Sequence, residues 1–188
     1  ESLAEQTIAN GYQGRVAAGH CCAMAAWDDA MAARIIEKVR DAGVHVITNA
    51  PINLLLEGRH DPQPVRRGIP RVKELLAAGV NVACGQDDVQ NMFYPYGRMD
   101  PLEVALITAH AAHLAAPDEI QAAFDMPRYH AARMLRLPAY GVEPGAPADL
   151  VLLDADSAVD ALRRHSPQRT VIRRGRVLVR TRVETEWA

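Results

Sequence analysis

The chain has 188 residues, 49% of them hydrophobic, enough for one medium domain or for a small domain plus an appendage. Its formal net charge is −2 and its pI is near 6.4, so it offers no basic field for a nucleic acid or a membrane surface, and the runs Arg66-Arg67 and Arg173-Arg174 are too short to change that. No apolar run is long enough to span a bilayer and nothing reads as a signal peptide, while an odd set of cysteines (Cys21, Cys22, Cys84) argues against a disulfide scaffold and for a reducing, cytoplasmic setting.

In chain order, residues 4–13 are predicted to form a helix ending near Gly11 or Gly14. Arg15 to His20 is short and apolar and reads as a buried strand with a polar end. From 27 to 43 the pattern is helical: Ala30, Ala33, Ile36 and Val39 recur at steps of three, and Ile35 widens the stripe. Asp28 and Asp29 suit the positive end of that helix, and Gly43 closes it. Val44 to Asn49 is β-branched and reads as the next strand. Residues 51–68 hold Pro51, Pro62, Pro64, Gly58 and Gly68 and read as one long loop, a feature usually tied to function in a compact domain. A short helix over 71–79 stops at Gly79, and a third strand over 80–87 ends in Asp87 and Asp88. Residues 101–137 read as helical, with breaks at Pro117 and Pro127. After Tyr140 turn residues run into a strand ending at Leu153, and Arg169 to Arg180 reads as a hairpin turning at Gly175.

The first part therefore repeats strand and helix three times, with His20, Asn49, Asp87 and Asp88 at strand ends. That alternation predicts a parallel sheet. A (β/α)8 barrel and a doubly wound sheet both collect functional residues at the C-terminal ends of strands, and periodicity alone does not separate them. The chain opens on Glu1-Ser2 without an initiator methionine and enters a helix at once, which leads to the expectation that it is a piece of a longer protein.

Several motifs together resemble the cytosine deaminase branch of the amidohydrolase superfamily. They are Gly19-His20 closing one strand, Asn49-Ala-Pro-Ile-Asn53 leading into Glu57-Gly-Arg59 and Arg66-Arg-Gly-Ile69, and Gly85-Gln-Asp-Asp88 followed by Tyr94-Pro95 and Gly97. The stretch from Tyr140 to Val151 and the Ile172 to Val177 hairpin resemble the superfamily's ending, where the chain returns to a β-sandwich. Each motif is weak; their order and spacing carry the likeness over nearly the whole chain.

The resemblance implies a fold class of α/β, with residues 1–138 as the C-terminal portion of a (β/α)8 TIM-type barrel (about strands six to eight) and 139–188 as part of a small β-sandwich domain. It implies one divalent metal ion, zinc or iron(II), at the barrel mouth. Asp87 would be a metal ligand and proton acceptor. His20 would sit beside the metal or hydrogen-bond to its water. Asp88, Phe93 and Asn49 would meet the substrate. The chemistry supports those residue types independently, because a metal acidifies bound water, a carboxylate accepts its proton and an imidazole orients what remains.

The family's His-x-His and His-x-x-Glu segments do not occur in these 188 residues. The missing N-terminal half of the same protein is expected to supply them, since three βα units do not close a barrel of eight and would leave an exposed sheet edge. Two positions depart from the family: Gln86 stands where a histidine is common, and Phe93 where a tryptophan is. Alternation along the strand turns Gln86 and Cys84 toward the helices and away from Asp87.

Bland readings stand beside these. Asp87-Asp88 reads equally as a turn, and Asn49 and Asn53 either shape a pocket or tie down the loop. His45, His110, His113 and His130 are structural. Arg59, His60 and Asp61 are candidates for the substrate side. His20-Cys21-Cys22 is not a zinc site, because adjacent positions do not put three ligands on one ion. The expected activity is hydrolytic deamination of a cytosine-like cyclic amidine by a cytoplasmic homo-oligomer acting on a small molecule. A related amidohydrolase of isocytosine, creatinine or an N-substituted triazine is the alternative, and a non-catalytic fragment or scaffold the second. A Rossmann-type binding protein is disfavoured by the absence of Gly-x-Gly-x-x-Gly.

Overall fold

The computed structural model describes residues 1–66 and 68–187; Arg67, part of one basic run, lies outside them. Helix α1 (Ser2–Ala9) precedes strand β1 (Ala17–Gly19), a 3-10 turn at Cys22–Ala26, α2 (Asp29–Asp41) and β2 (His45–Thr48). Helices α3 (Ala50–Leu56) and α4 (Val72–Ala77), strand β3 (Val82–Cys84), α5 (Pro101–Ala111), α6 (Pro117–Asp125) and α7 (Ala131–Met134) complete the first region. Strand β4 (Leu150–Leu153), helix α8 (Ala158–Arg164) and strands β5 (Arg169–Arg173) and β6 (Arg176–Arg180) form the second.

Strands β1, β2 and β3 lie side by side in that order, all parallel. Val46, Val82 and Cys84 pack with Ile36 of α2, Val72 and Leu75 of α4, Leu102 and Val104 of α5 and Met126 into the main core. On β2 and β3 that face is sealed. Ala17 and Gly19 of β1 stay exposed, so the sheet is open along its first strand. The register brings the three C-terminal ends level: His20 N–H donates to the Ile47 carbonyl at 2.9 Å, and Gly85 N–H to that of Thr48 at 3.0 Å.

Asp28 caps α2, its carboxylate accepting from Met31 N–H at 2.7 Å. The buried stripe on α2 is Ala32, Ile35 and Ile36, with Val39 packed beside it, rather than one through Ala30 and Ala33, which are exposed. Steps of three drift off a 3.6-residue helix, whereas i, i+3, i+4, i+7 holds one face. The segment read as one loop begins instead with α3. Pro51 falls in its first turn, where the missing N–H is no loss, so it starts the helix rather than breaking it. Pro127 does not break the later helices either; it is absorbed in a π-helical turn over Met126–His130 that leads directly into α7.

The second sheet is antiparallel, β4 against β5 and β5 against β6, with the hairpin turning at Gly175 and a bulge near Val171. Helix α8 was not expected from the sequence; Ser157 caps it, accepting from Asp160 N–H at 3.2 Å. Leu162 of α8 and Leu153 of β4 reach the main core. Asp100, just ahead of α5, takes both guanidinium nitrogens of Arg169 at 2.9 and 2.8 Å and His165 Nε2 at 2.9 Å, while also capping α5 through Leu102 N–H. Among the described residues no helix is long and apolar enough to cross a membrane.

Candidate active site

The level strand ends gather four side chains. His20 follows β1 and Asp87 lies three residues past β3; their Nε2 and Oδ2 atoms stand 3.2 Å apart, with the side chains 43% and 36% exposed. Both residues have left-handed backbone, φ 61° and 65°. Such φ values are uncommon outside glycine and cost of order 1 kcal/mol or more each. At Asp87 the strand's alternation ends, and the carboxylate turns to the imidazole.

Asn49 and Asn53 come from the second unit. Asn49 precedes α3 and Asn53 lies one turn on, so an i, i+4 spacing sets both amides on one helix face. Asn53 Oδ1 lies 2.9 Å from His20 Nδ1, and Asn49 Nδ2 lies 3.2 Å from His20 Nε2. Both asparagines are buried. Asn53 Nδ2 has no hydrogen-bond partner among the described residues, an arrangement that costs roughly 1–3 kcal/mol. A Cβ at position 85 would lie 2.8 Å from Asn49 Oδ1, so glycine there is what lets Asn49 sit against β3.

Asp88 and Phe93, expected at the substrate, make no hydrogen bond or ion pair to this group among the described residues. Asp88 Oδ1 accepts from Asn91 Nδ2 at 2.5 Å, and Asn91 Oδ1 accepts the backbone N–H groups of Phe93 and Tyr94. The two aspartates thus diverge, one toward His20 and one bracing the following loop. Phe93 is half exposed, whereas Tyr94 is buried edge-on to Tyr96. Gln86 and Asp87 both line a cavity of about 270 Å³ with Met99, Asp100, Val104 and Pro127. Asp61 pairs with exposed Arg66, and Arg59 and His60 make no polar contact with His20.

The remaining histidines and cysteines have structural surroundings. His45 meets Asn81 Nδ2 at 3.1 Å, His130 Nδ1 donates to the Val82 carbonyl, and His110 Nδ1 to that of Leu106. The three cysteines are free. Burial pushes the Cys84 thiol up to about 12, and burial with the nearby Glu57 carboxylate pushes Cys22 up to about 11, so neither is primed as a thiolate.

Among the described residues no three His, Cys, Asp or Glu side chains come together to hold an ion. The His20–Asp87 pair nevertheless fits part of a metal site. An imidazole nitrogen and a carboxylate oxygen are both ligand types for zinc or iron(II). With bonds of about 2.0–2.2 Å, two ligands of one tetrahedral ion stand about 3.3 Å apart, close to the 3.2 Å seen here.

The comparisons with known proteins agree on one family. Residues 1–180 match the Amidohydrolase family. The chain superposes on the crystal structure of 5-methylcytosine deaminase from Klebsiella pneumoniae liganded with 5-fluorocytosine, with a TM-score of 0.92 and 35% identity, covering 99% of this chain and 45% of that one. The structure of N-isopropylammelide isopropylaminohydrolase from Burkholderia multivorans gives a TM-score of 0.81 at 30% identity, covering 95% and 42%. Pterin deaminase of Rhizobium rhizogenes is 36% identical over 183 residues, 96% of this chain and 41% of its own length. The chain spans less than half the length of each. The fold is that of the C-terminal part of a (β/α)8 barrel followed by part of a small β domain.

Proposed function

The chain belongs to the amidohydrolase family, in its cytosine deaminase-like branch, and from that premise we propose that it is part of a hydrolytic deaminase of a nitrogen heterocycle with a cytosine-like amidine edge. The observation that carries the reading is the 3.2 Å pair of His20 Nε2 and Asp87 Oδ2 at the level strand ends. The relatives support the class of substrate. The acceptable ring extends beyond the cytosine, isocytosine, creatinine and triazine considered from sequence, since a pterin carries the same exocyclic amine on a ring carbon between nitrogens.

Asp87 and His20 are the residues that would hold a divalent ion, with further ligands from residues outside these 188. When bound, the ion lowers the pKa of water toward neutrality. Asp87 accepts a proton from the attacking water and returns it to the departing nitrogen. His20, whose Nε2 faces the same space, would position the water's oxygen against the ring carbon. The new C–O bond forms as the exocyclic C–N bond breaks, leaving a ring carbonyl and ammonia. Protonation of the ring nitrogen falls to a group outside this chain. Phe93, half exposed on the loop that Asp88 braces, would supply a wall for the ring. A small-molecule substrate, a cytoplasmic setting and a homo-oligomeric assembly complete the proposal.

Ammonia release by the complete natural protein from 5-methylcytosine, cytosine, isocytosine, creatinine and pterin tests it, with N-isopropylammelide as the probe for an alkylamine leaving group. Turnover of an aminopyrimidine or pterin supports the reading. Isopropylamine alone would move the assignment to the dealkylating relative, and no turnover of any of the six would overturn it.

A further inference from the structure

His20 has two ring nitrogens, and its neighbours treat them differently. At Nδ1 stands Asn53 Oδ1, 2.9 Å away; at Nε2 stands Asn49 Nδ2, 3.2 Å away, with Asp87 Oδ2 at the same distance. An amide oxygen is only an acceptor and an amide nitrogen only a donor. Asn53 therefore calls for a proton on Nδ1, which the Nε2–H tautomer lacks, since it would point a lone pair at the Asn53 oxygen. At Nε2 the neighbours make opposed demands, Asn49 offering a donor and Asp87 an acceptor.

We propose that Asn53 is a positioning residue that keeps a proton on His20 Nδ1 and so turns Nε2 toward Asp87 and the space where the attacking water is aimed. Its role in the reaction rests on the deaminase reading; the tautomer itself does not. Asn53 is buried, it belongs to α3 rather than to the strand ends, and its own amide nitrogen has no partner among the described residues. The side chain is thus kept for its oxygen. A ring nitrogen that meets a metal or its water is commonly oriented by a hydrogen bond at the other nitrogen. Here the acceptor is an uncharged amide oxygen. Asn49 completes the set from the same helix face.

The test is long-range 1H–15N correlation of the imidazoles in the complete, metal-free natural protein labelled with 15N-histidine, with His20 assigned by loss of its signals in His20→Gln. Wild type is expected to show a protonated Nδ1. Asn53→Asp keeps an acceptor and should keep that proton; Asn53→Leu and the smaller Asn53→Ser should empty Nδ1 in favour of Nε2–H. In the metal-loaded enzyme the same two variants should lose kcat by about 10–100-fold with little change in KM, and Asn53→Asp should recover most of it. A bare Nδ1 in the wild type, or an unchanged pattern in whichever of Leu and Ser folds, would overturn the proposal even if the enzyme turns over. The expected tautomers with no turnover of any heterocyclic amine would instead leave the positioning intact and sink the deaminase reading.

Discussion

The two sheets of this chain solve opposite problems with similar residues. Strands β2 and β3 are parallel and packed under helices, and β3 has no exposed residue at all. Strand β6 is exposed along its whole length although it carries Val177, Leu178 and Val179, and Val151 and Leu152 of β4 are also open. Apolar content therefore does not tell the two apart; within these 188 residues, what lies over each sheet does. Parallel strands need crossover helices, and those helices bury the sheet on the way back. The antiparallel hairpin has no crossover of its own here and is held at one side, through Leu153, Leu162 and the Asp100 cluster. The first region can then hold its polar strand ends still for chemistry, while the second depends on the first for its place.

That contrast is open to attack at three points. The largest effect belongs to the strand ends. Asp87→Asn in the complete enzyme should lower kcat by about 10³-fold, the scale of a lost proton-transfer group, with thermal stability nearly unchanged. A comparable loss of stability would mean that Asp87 is a structural residue of the first region.

The next belongs to the junction. Asp100→Asn leaves Arg169 and His165 without their shared carboxylate, and removing one partner of a largely buried pair should cost roughly 3–4 kcal/mol in urea unfolding. The pH dependence has a definite sign. Burial pushes the Asp100 carboxyl up, but the Arg169 hydrogen bond, the Leu102 N–H and the charges of Arg169 and His165 outweigh it and hold the group below the usual carboxylate range. A carboxyl lowered on folding stabilises above its unfolded pKa, and that contribution is lost as pH falls through the lower folded value. Wild type should therefore shed this stability below about pH 4, and Asp100→Asn should flatten that acid limb.

The smallest is a matched pair. Leu75→Ala, in the sealed core, should cost about 3 kcal/mol. Leu178→Ala, on the hairpin that is open in the 188-residue chain, should stay within about 0.5 kcal/mol when that chain is the one unfolded. Equal costs in thermal or urea unfolding would erase the distinction between the sheets.

Much of this was legible in the chain itself. The βα rhythm predicts the parallel sheet, and a polar residue closing each short apolar run points to His20, Asn49 and Asp87. What escaped has identifiable causes. Proline density between 51 and 68 hides α3, because Pro51 reads as a breaker unless it is seen as a first-turn residue. Once α3 is missed, Asn49 and Asn53 look like loop residues instead of an i, i+4 pair. The Ser157–Asp160 spacing is an N-terminal cap signal, yet its place between two strands of a small β unit masks it. Asp87-Asp88 looks like one acidic feature, and only the left-handed backbone at Asp87 sends the two carboxylates to different neighbours.

Helix α3 is about two turns long and constrained at each end. It starts directly from β2, and it runs out at Gly58, where a Cβ would meet the Arg66 carbonyl oxygen at 2.3 Å. For anyone reshaping this protein, the crossover after α3 is a remote dial: lengthening or shortening it is expected to tilt the helix and move both amides on the imidazole as one. A library built there would alter the working geometry without touching a single residue that contacts His20, and a library confined to the strand ends would never sample that freedom.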